Sequence, residues 1–343
     1  MLISDMFRYP IGVQLFNRPE YARLVLQSLL AQTMSINVGR LHIIIDGFKG
    51  SFYEMRGDKD KTDEVAQIAN DLFPGCTVIR NSINRGAGTT FNSLQHVVFD
   101  NENDWAFFLE EDVVLNKEYL EEISNLIAIV EPYDLVVKVA CFQVLPTLYN
   151  LDRGFEGFYP GLGTKAFAER KDFYESRHAV LDKFQEIEAL DRVSPCQNIP
   201  TISEYNSYYL SLIANFHRFG ILQSSFNHDV LIDNFLLANN KVHVVTRPYL
   251  ATDIGYDGMH NNVTPNLFTL DDPKFPTINH SNRAISFHES LPQIIKEGQL
   301  YFMQSYTQIM KGYYDSLSKK SMSKLLIKKI VARAKILFSR SND

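Results

Sequence analysis

From Pro10 to about Cys141 the chain alternates short apolar runs with longer amphipathic stretches, and this rhythm constrains the fold more than any other feature. Residues 11–16 (IGVQLF) read as a buried strand. Asn17-Arg18-Pro19-Glu20 then opens a helix: Asn suits the cap, Pro the first turn, and Glu the positive helix end. Strands follow at 41–45 (LHIII), 77–80, 105–109 (WAFFL) and 135–141, separated by helices at 62–72, 88–99 and 116–130. Strands spaced by helices of this length predict an α/β fold, a mostly parallel central sheet with right-handed crossovers. Ligands on such sheets bind outside the carboxyl ends of the strands. Asp46, Asn84-Arg85 and Glu110-Glu111-Asp112 all fall at those ends.

After Cys141 the rhythm breaks. Residues 142–178 carry eight aromatics and many turn signals, and read as irregular, surface-lining chain. Residues 201–219 and 229–239 read as helices and 241–246 (KVHVVT) as a strand. Residues 261–292 hold four prolines, and the chain from about Glu289 reads as helical, becoming strongly basic after Ser318.

Composition excludes several classes. A formal charge of −6 lacks the basic surplus that duplex nucleic acid demands, so no nucleic-acid partner is expected. Cys76, Cys141 and Cys196 are too few and too far apart for a disulfide framework or a zinc knuckle. MLISDMFRYP lacks a signal-peptide pattern, and no run reaches the roughly 20 apolar residues of a membrane span. A reduced, cytoplasmic setting is the expectation, with the sequons at Asn262 and Asn279 idle.

Glu110-Glu111-Asp112 is the sharpest chemical signal. Three adjacent acids repel one another unless a cation neutralises them. A divalent ion held by carboxylates, Mn²⁺ or Mg²⁺, does this and can bridge to substrate phosphates. The bland alternative is a solvated loop leading into the next helix. Arg85-Gly86-Ala87-Gly88 lacks the third glycine of a dinucleotide loop, and a tight turn into a helix explains it equally well. Asn227-His228-Asp229 reads either as a helix cap or as the carrier of an acid, and Gly255-Tyr256-Asp257-Gly258-Met259-His260 as a constrained loop.

Taken in order, IGVQLFNRPEYARLVLQSLL, HIIIDG, NRGAGTTFN, WAFFLEEDVVL and NHDVLIDNFLLANNKVHVVTRPYLATDIGYDGMH resemble GT-A fold glycosyltransferases. The likeness is to family 2-like bacterial sugar transferases and to the N-acetylglucosaminyltransferase I group, over roughly residues 10–260. It implies a Rossmann-like sheet flanked by helices in a domain spanning 1–270, with a donor half to about 141 and an acceptor half over 142–270. A linker and helical extension (271–317) and a basic amphipathic tail (318–343) would follow. The resemblance places Phe16, Asn17, Arg18, Asp46, Asn84, Arg85, Glu110 and Glu111 at a nucleotide-sugar donor, UDP- or another NDP-sugar. It makes Asp112 and His260 metal ligands and Asp229 the catalytic base. Phe158, Tyr159 and Asp257 are acceptor candidates.

The reaction so implied is a metal-dependent, inverting transfer of a hexosyl or N-acetylhexosaminyl group to a hydroxyl of a glycan or lipid-linked glycan, in bacterial surface polysaccharide or glycoconjugate synthesis. Two alternatives stay open, a sugar nucleotidyltransferase and a catalytically inactive, membrane-associated binding or scaffold subunit. The first should carry a Gly-rich basic loop after strand one, where FNRPEY stands instead. This chain also departs from the family's pattern. It has E-E-D where E-D-D or D-x-D is usual, His228 where a Trp is common, and no tryptophan near Tyr159.

In the tail, Leu326, Ile330, Ala334 and Leu337 make one helical stripe flanked by Lys324, Lys328, Lys329 and Arg333. Such a helix suits an anionic membrane surface, each cation contributing about 1 kcal/mol. A helix docked on protein is the other reading.

Overall fold

The computed structural model describes residues 6–49, 58–99, 103–141, 158–160, 165–178, 239–246 and 250–255, together with 232, 236, 287–289, 291–292 and 295–296. The chain divides into two compact units, Met1–Val193 with Phe226–Gly298, and Ser194–Ser225 with Gln299–Asp343. All the described residues belong to the first.

In chain order the elements are β1 (Met6–Phe7), β2 (Ile11–Leu15), α1 (Pro19–Leu30), β3 (Ser35–Ile36), β4 (Leu41–Ile45), α2 (Lys59–Leu72), β5 (Thr77–Arg80) and α3 (Ala87–Phe99). There follow β6 (Trp105–Glu110), β7 (Val113–Leu115), α4 (Tyr119–Val130), β8 (Val136–Ala140), β9 (Phe158–Pro160), β10 (Ala166–Arg170), β11 (Val242–Thr246) and β12 (Ala251–Asp253). Eight strands form the central sheet in the order β5-β4-β2-β6-β10-β8-β11-β9. β5, β4, β2 and β6 run parallel, β10 lies antiparallel between β6 and β8, β11 is parallel to β8, and β9 is an antiparallel edge. The expected α/β architecture, a mostly parallel sheet flanked by helices, is present.

Side-chain alternation explains the layers. In β6, Trp105, Phe107 and Leu109 enter the larger core, packed with buried residues of α1, α2 and α4. Ala106 and Phe108 face the other way, into a smaller core with Phe91, Leu94 and Val98 of α3. Both faces are buried, which is why these strands read as continuous apolar runs rather than alternating ones. Gly12 in β2 makes the close approach of α3 possible: a Cβ there would lie 2.9 Å from Phe108 and 3.0 Å from Val98.

Element boundaries differ from expectation in instructive places. The N-cap of α1 is Arg18, not Asn17, and it makes no side-chain cap bond; its guanidinium is engaged elsewhere. α2 begins at Lys59, three residues early, because Asp58 caps it with 2.9 and 3.4 Å bonds from the Asp60 and Lys61 amides. α4 begins at Tyr119, because 113–115 is spent on β7, which pairs antiparallel with β12.

The reading of 142–178 as irregular is overturned for its described part. β9 and β10 are strands of the central sheet, and residues 171–178 are helical. The short AFAER run pairs along its whole length with β6 and at Ala168 and Glu169 with β8, so cross-strand pairing overrides its turn-like surroundings. The helix expected at 201–219 and the basic tail lie outside the described residues. Of 229–239, Ile232 and Leu236 are described as helical and buried. Among the described residues no helix is long and apolar enough to cross a membrane.

Candidate active site

The sheet order places a topological switch between β2 and β6. From β2 the chain winds outward through β4 and β5, then returns past β2 to lay down β6 on its other side. Connections therefore diverge above the carboxyl ends of β2 and β6, leaving the crevice where ligands bind such sheets. The loop after β2 delivers Phe16 and Arg18 to it, and the end of β6 delivers Glu110-Glu111-Asp112.

Glu111 joins the two sides. Its Oε2 accepts a 2.8 Å bond from the Phe16 amide and its Oε1 a 2.7 Å bond from Arg18 Nε. Arg18 Nη2 also lies 3.6 Å from Asp112 Oδ2, and its guanidinium rests over the Tyr21 ring. Burial works against charge on Arg18, but Glu111 and Asp112 outweigh it and raise its pKa. Burial pushes the Glu111 carboxyl up as well, although Arg18 and the Phe16 amide pull it down. The two shifts are compatible: Glu111 is the deeper partner, 11% exposed against 26%, and carries more of the desolvation.

Asp112 sits between two chain segments that the acidic run itself recruits. On one side the Glu110 amide donates to the Lys165 carbonyl at 2.8 Å, anchoring the residue that leads into β10. On the other, the Ile254 amide donates to the Asp112 carbonyl at 2.8 Å, beside the pairing of Asp253 with Val113. These backbone bonds bring Lys165 Nζ to 3.2 Å from Asp112 Oδ2 and 2.7 Å from Asp253 Oδ2. Burial lowers the pKa of the Lys165 ammonium, but Asp112, Asp253 and Glu110 more than reverse this and leave it raised. Gly255 closes over the group: a Cβ there would stand 2.4 Å from Asp112 Oδ2 and 3.0 Å from Asp253 Oδ1.

Asp46, at the end of β4, is buried and faces the loop after β5. Its Oδ1 accepts from the Gly47 and Arg85 amides, both at 2.9 Å, and from Asn81 Nδ2 at 3.1 Å. Its Oδ2 accepts from the Gly86 amide at 2.9 Å. Asn84, also buried, accepts a 3.1 Å bond from the same Gly86 amide through its own Oδ1. Gly86 has φ +82°, a conformation glycine adopts without strain. Asp46 thus shapes the loop that carries Arg85, whose exposed guanidinium meets Ser93 of α3.

The described residues therefore bring together Phe16, Arg18, Glu110, Glu111 and Asp112 from the sequence expectation, and place Asp46, Asn84 and Arg85 on the neighbouring strand end. Phe158 and Tyr159 belong to edge strand β9, opposite Thr246 and Val245. Asp229, Asp257 and His260 lie outside the described residues. Sequence reasoning missed Lys165 and Asp253, and read Gly255 only as part of a constrained loop. The signal for Lys165 was a lone cation just before an apolar run, in a stretch read as irregular; Asp253 stood just ahead of that loop without any motif of its own.

A divalent cation is implied by the resemblance, and the residues fit one. Asp112 Oδ1 is buried and accepts no hydrogen bond, so one carboxylate oxygen is left for such an ion. Among the described residues no three His, Cys, Asp or Glu side chains are grouped to hold a metal. What they offer is a site of one or two carboxylates completed by substrate phosphates, the usual arrangement for Mg²⁺.

No family model matches the chain, and no curated protein matches it. Solved structures do. TarS of S. aureus is 14% identical over 68% of this chain, with a TM-score of 0.36, and this chain spans 43% of that protein's length. The mannosyltransferase PcManGT of Pyrobaculum calidifontis, solved with GDP-Man and Mn²⁺, is 11% identical over 98% of this chain and 84% of its own, with a TM-score of 0.37. The 1–349 fragment of S. aureus TarS with UDP is 12% identical over 90% of this chain and 93% of its own, with a TM-score of 0.36.

Proposed function

We propose that this chain is a glycosyltransferase that moves a sugar from a nucleoside-diphosphate donor to a hydroxyl acceptor. The observation that carries this reading is the meeting of Arg18, Lys165 and the Glu110-Glu111-Asp112 run at the switch point between β2 and β6. The carboxylates of Glu111, Asp112 and Asp253 paired with two cations in a half-buried crevice are costly for a merely structural site. They suit a reaction in which an anionic leaving group must be neutralised.

A nucleoside diphosphate leaves slowly unless positive charge meets the oxygen that the sugar abandons. Arg18 and Lys165 are cations held within reach of that place, and both are kept protonated by their acidic neighbours. Asp112, whose Oδ1 has no hydrogen-bond partner among the described residues, would hold the divalent ion, Mn²⁺ or Mg²⁺, which would supply further charge for the diphosphate. Glu111 fixes Arg18 by a bond to Nε that leaves its Nη atoms for other partners. The loop that Asp46 organises borders the same strand ends and supplies the nucleotide side of the crevice. The acceptor hydroxyl needs a base to take its proton, a role the resemblance assigns to Asp229. Attack by that hydroxyl from the face opposite the diphosphate inverts the anomeric carbon. Glycan or lipid-linked glycan acceptors, a cytoplasmic location and contact of the basic tail with an anionic membrane complete the reading.

The test is a thermal-shift series of nucleotide sugars on the full chain, with and without Mn²⁺. A ligand at a hundredfold excess over its Kd stabilises by about 2.7 kcal/mol, a shift such a series resolves. Stabilisation by one UDP- or GDP-sugar that needs Mn²⁺ and vanishes in Asp112→Asn is the expected result. A chain that no nucleotide sugar stabilises overturns the reading.

A further inference from the structure

Lys165 does more than border the acidic run. Its ammonium lies between two carboxylate oxygens, Asp112 Oδ2 at 3.2 Å and Asp253 Oδ2 at 2.7 Å, and all three side chains are less than a third exposed. Its backbone cannot drift away, because the Lys165 carbonyl accepts the Glu110 amide and β10 follows at once in the centre of the sheet. A cation is thus built into the place where carboxylate ligation of a divalent ion is implied. Asp112 presents one oxygen to Lys165 and keeps the other, Oδ1, without a partner.

We propose that Lys165 is a resident competitor for the divalent cation at Asp112, so that the ligand-free enzyme binds the metal weakly. Two like charges a few ångströms apart in a half-buried site repel strongly, because little water lies between them. A diphosphate, placed there as the function proposed above requires, offers the ammonium new oxygens. As Lys165 turns toward them, Asp112 Oδ2 keeps only the more distant Arg18 Nη2, at 3.6 Å, among its described cation partners and the metal binds more tightly. By reciprocity the metal then tightens the nucleotide to the same degree. The order of events is thereby biased, with metal bound firmly only when a donor is present to use it.

The test titrates Mn²⁺ into the full chain by electron paramagnetic resonance of the free ion, without nucleotide. Wild type is compared with Lys165→Met, with Lys165→Gln, which keeps a hydrogen-bond donor for Asp253, and with Lys165→Arg, which keeps the charge. Both neutral variants are expected to bind Mn²⁺ at least about tenfold more tightly than wild type, with Lys165→Arg staying close to wild type. Mn²⁺ alone should also raise the melting temperature of the neutral variants more than that of wild type, a readout that remains if either variant is marginally stable. Unchanged or undetectable Mn²⁺ binding in the neutral variants overturns the competition. So does an equal gain in Lys165→Arg, which would trace the effect to disturbed packing. Adding UDP or GDP should tighten Mn²⁺ in wild type more than in Lys165→Met; an equal effect in both overturns the relief by diphosphate. If neither diphosphate binds any form while the neutral variants still gain Mn²⁺, the competition stands and the donor reading falls.

Discussion

Arg18 stands at the N-cap of a helix and spends its side chain on Glu111 instead of on that helix. The two residues come from opposite sides of the switch point, so their ion pair joins the loop after β2 to the end of β6. Removing the arginine leaves a buried carboxylate with, among the described residues, only the Phe16 amide as donor. Losing one partner of such a pair costs about 3 kcal/mol near neutral pH. The loss is expected to depend on pH, and the sign follows from Glu111. Burial already holds its carboxyl above the ordinary value, and without Arg18 it rises further. An acid raised on folding favours the folded state while it is protonated. That contribution is full below its unfolded pKa and disappears as pH climbs through the raised one. Urea unfolding of Arg18→Met should therefore show a large deficit near neutrality that shrinks as the pH falls into the ordinary carboxylate range. Equal deficits at both pH values would mean that Glu111 does not carry the effect.

Among the elements, β2, β4, β5, β6, β8 and the four helices of the first 141 residues were legible, the short β1, β3 and β7 not, because the central strands are buried on both faces and the helices on one. Burial of that kind leaves long apolar runs and helical periodicity in the sequence, as in WAFFL and YARLVLQSLL. The candidate site was legible to the same extent, since Asp46 and Glu110-Glu111-Asp112 directly follow such runs. β10 was not, because four of the five residues in AFAER are small or charged and its place depends on partners far away in sequence. With it went Lys165. The cause is visible in the structure. Glu169 of β10 is fully buried and lies opposite buried Lys138 of β8, which in turn lies opposite buried His243 of β11. A polar row of this kind looks like surface in a sequence. Here it is satisfied in part from within: Arg177, on the helical residues 171–178, is fully buried and bonded to Glu169 Oε1, and Gln95 of α3 lies 3.4 Å from each of them, while Glu169 Oε2 and Arg177 Nε have no hydrogen-bond partner among the described residues. Lys138 Nζ also rests 3.8 Å from the centre of the Phe167 ring. Arg177→Met should cost about 3 kcal/mol in urea unfolding by stranding Glu169, and adding Glu169→Met should recover most of that, since a buried pair exchanged for apolar groups is close to neutral. A double variant no more stable than Arg177→Met would show that the row does not act through this pair.

At the scale of the whole molecule the bulk charge of −6 hides two opposed parts. Residues 318–343 hold eight of the 34 basic residues and one of the 40 acidic ones, so the tail stands at +7 and the rest of the chain at −13. The acidic remainder repels a diphosphate at long range, which makes local cations such as Arg18 and Lys165 necessary for holding one. The same remainder repels an anionic bilayer at long range, so the tail is the part of the sequence that such a surface would attract. Eight cations at about 1 kcal/mol each are ample to hold a chain at a surface rich in anionic lipid, even after ordering costs. That attraction is screened as salt shortens the Debye length from about 10 Å at 0.1 M to about 3 Å at 1 M. Co-sedimentation of the full chain with phosphatidylglycerol-containing vesicles should therefore be strong at about 0.1 M salt and weaker at about 1 M. It should be weak with pure phosphatidylcholine under both conditions, and lost when residues 318–343 are removed. Read as a helix, the tail sequence puts Leu326, Ile330 and Leu337 in one apolar stripe that would add a salt-resistant part, and Ile330→Asp, at its centre, should then abolish whatever binding survives at high salt. Equal sedimentation of the full and truncated chains would assign membrane contact to some other surface of the molecule.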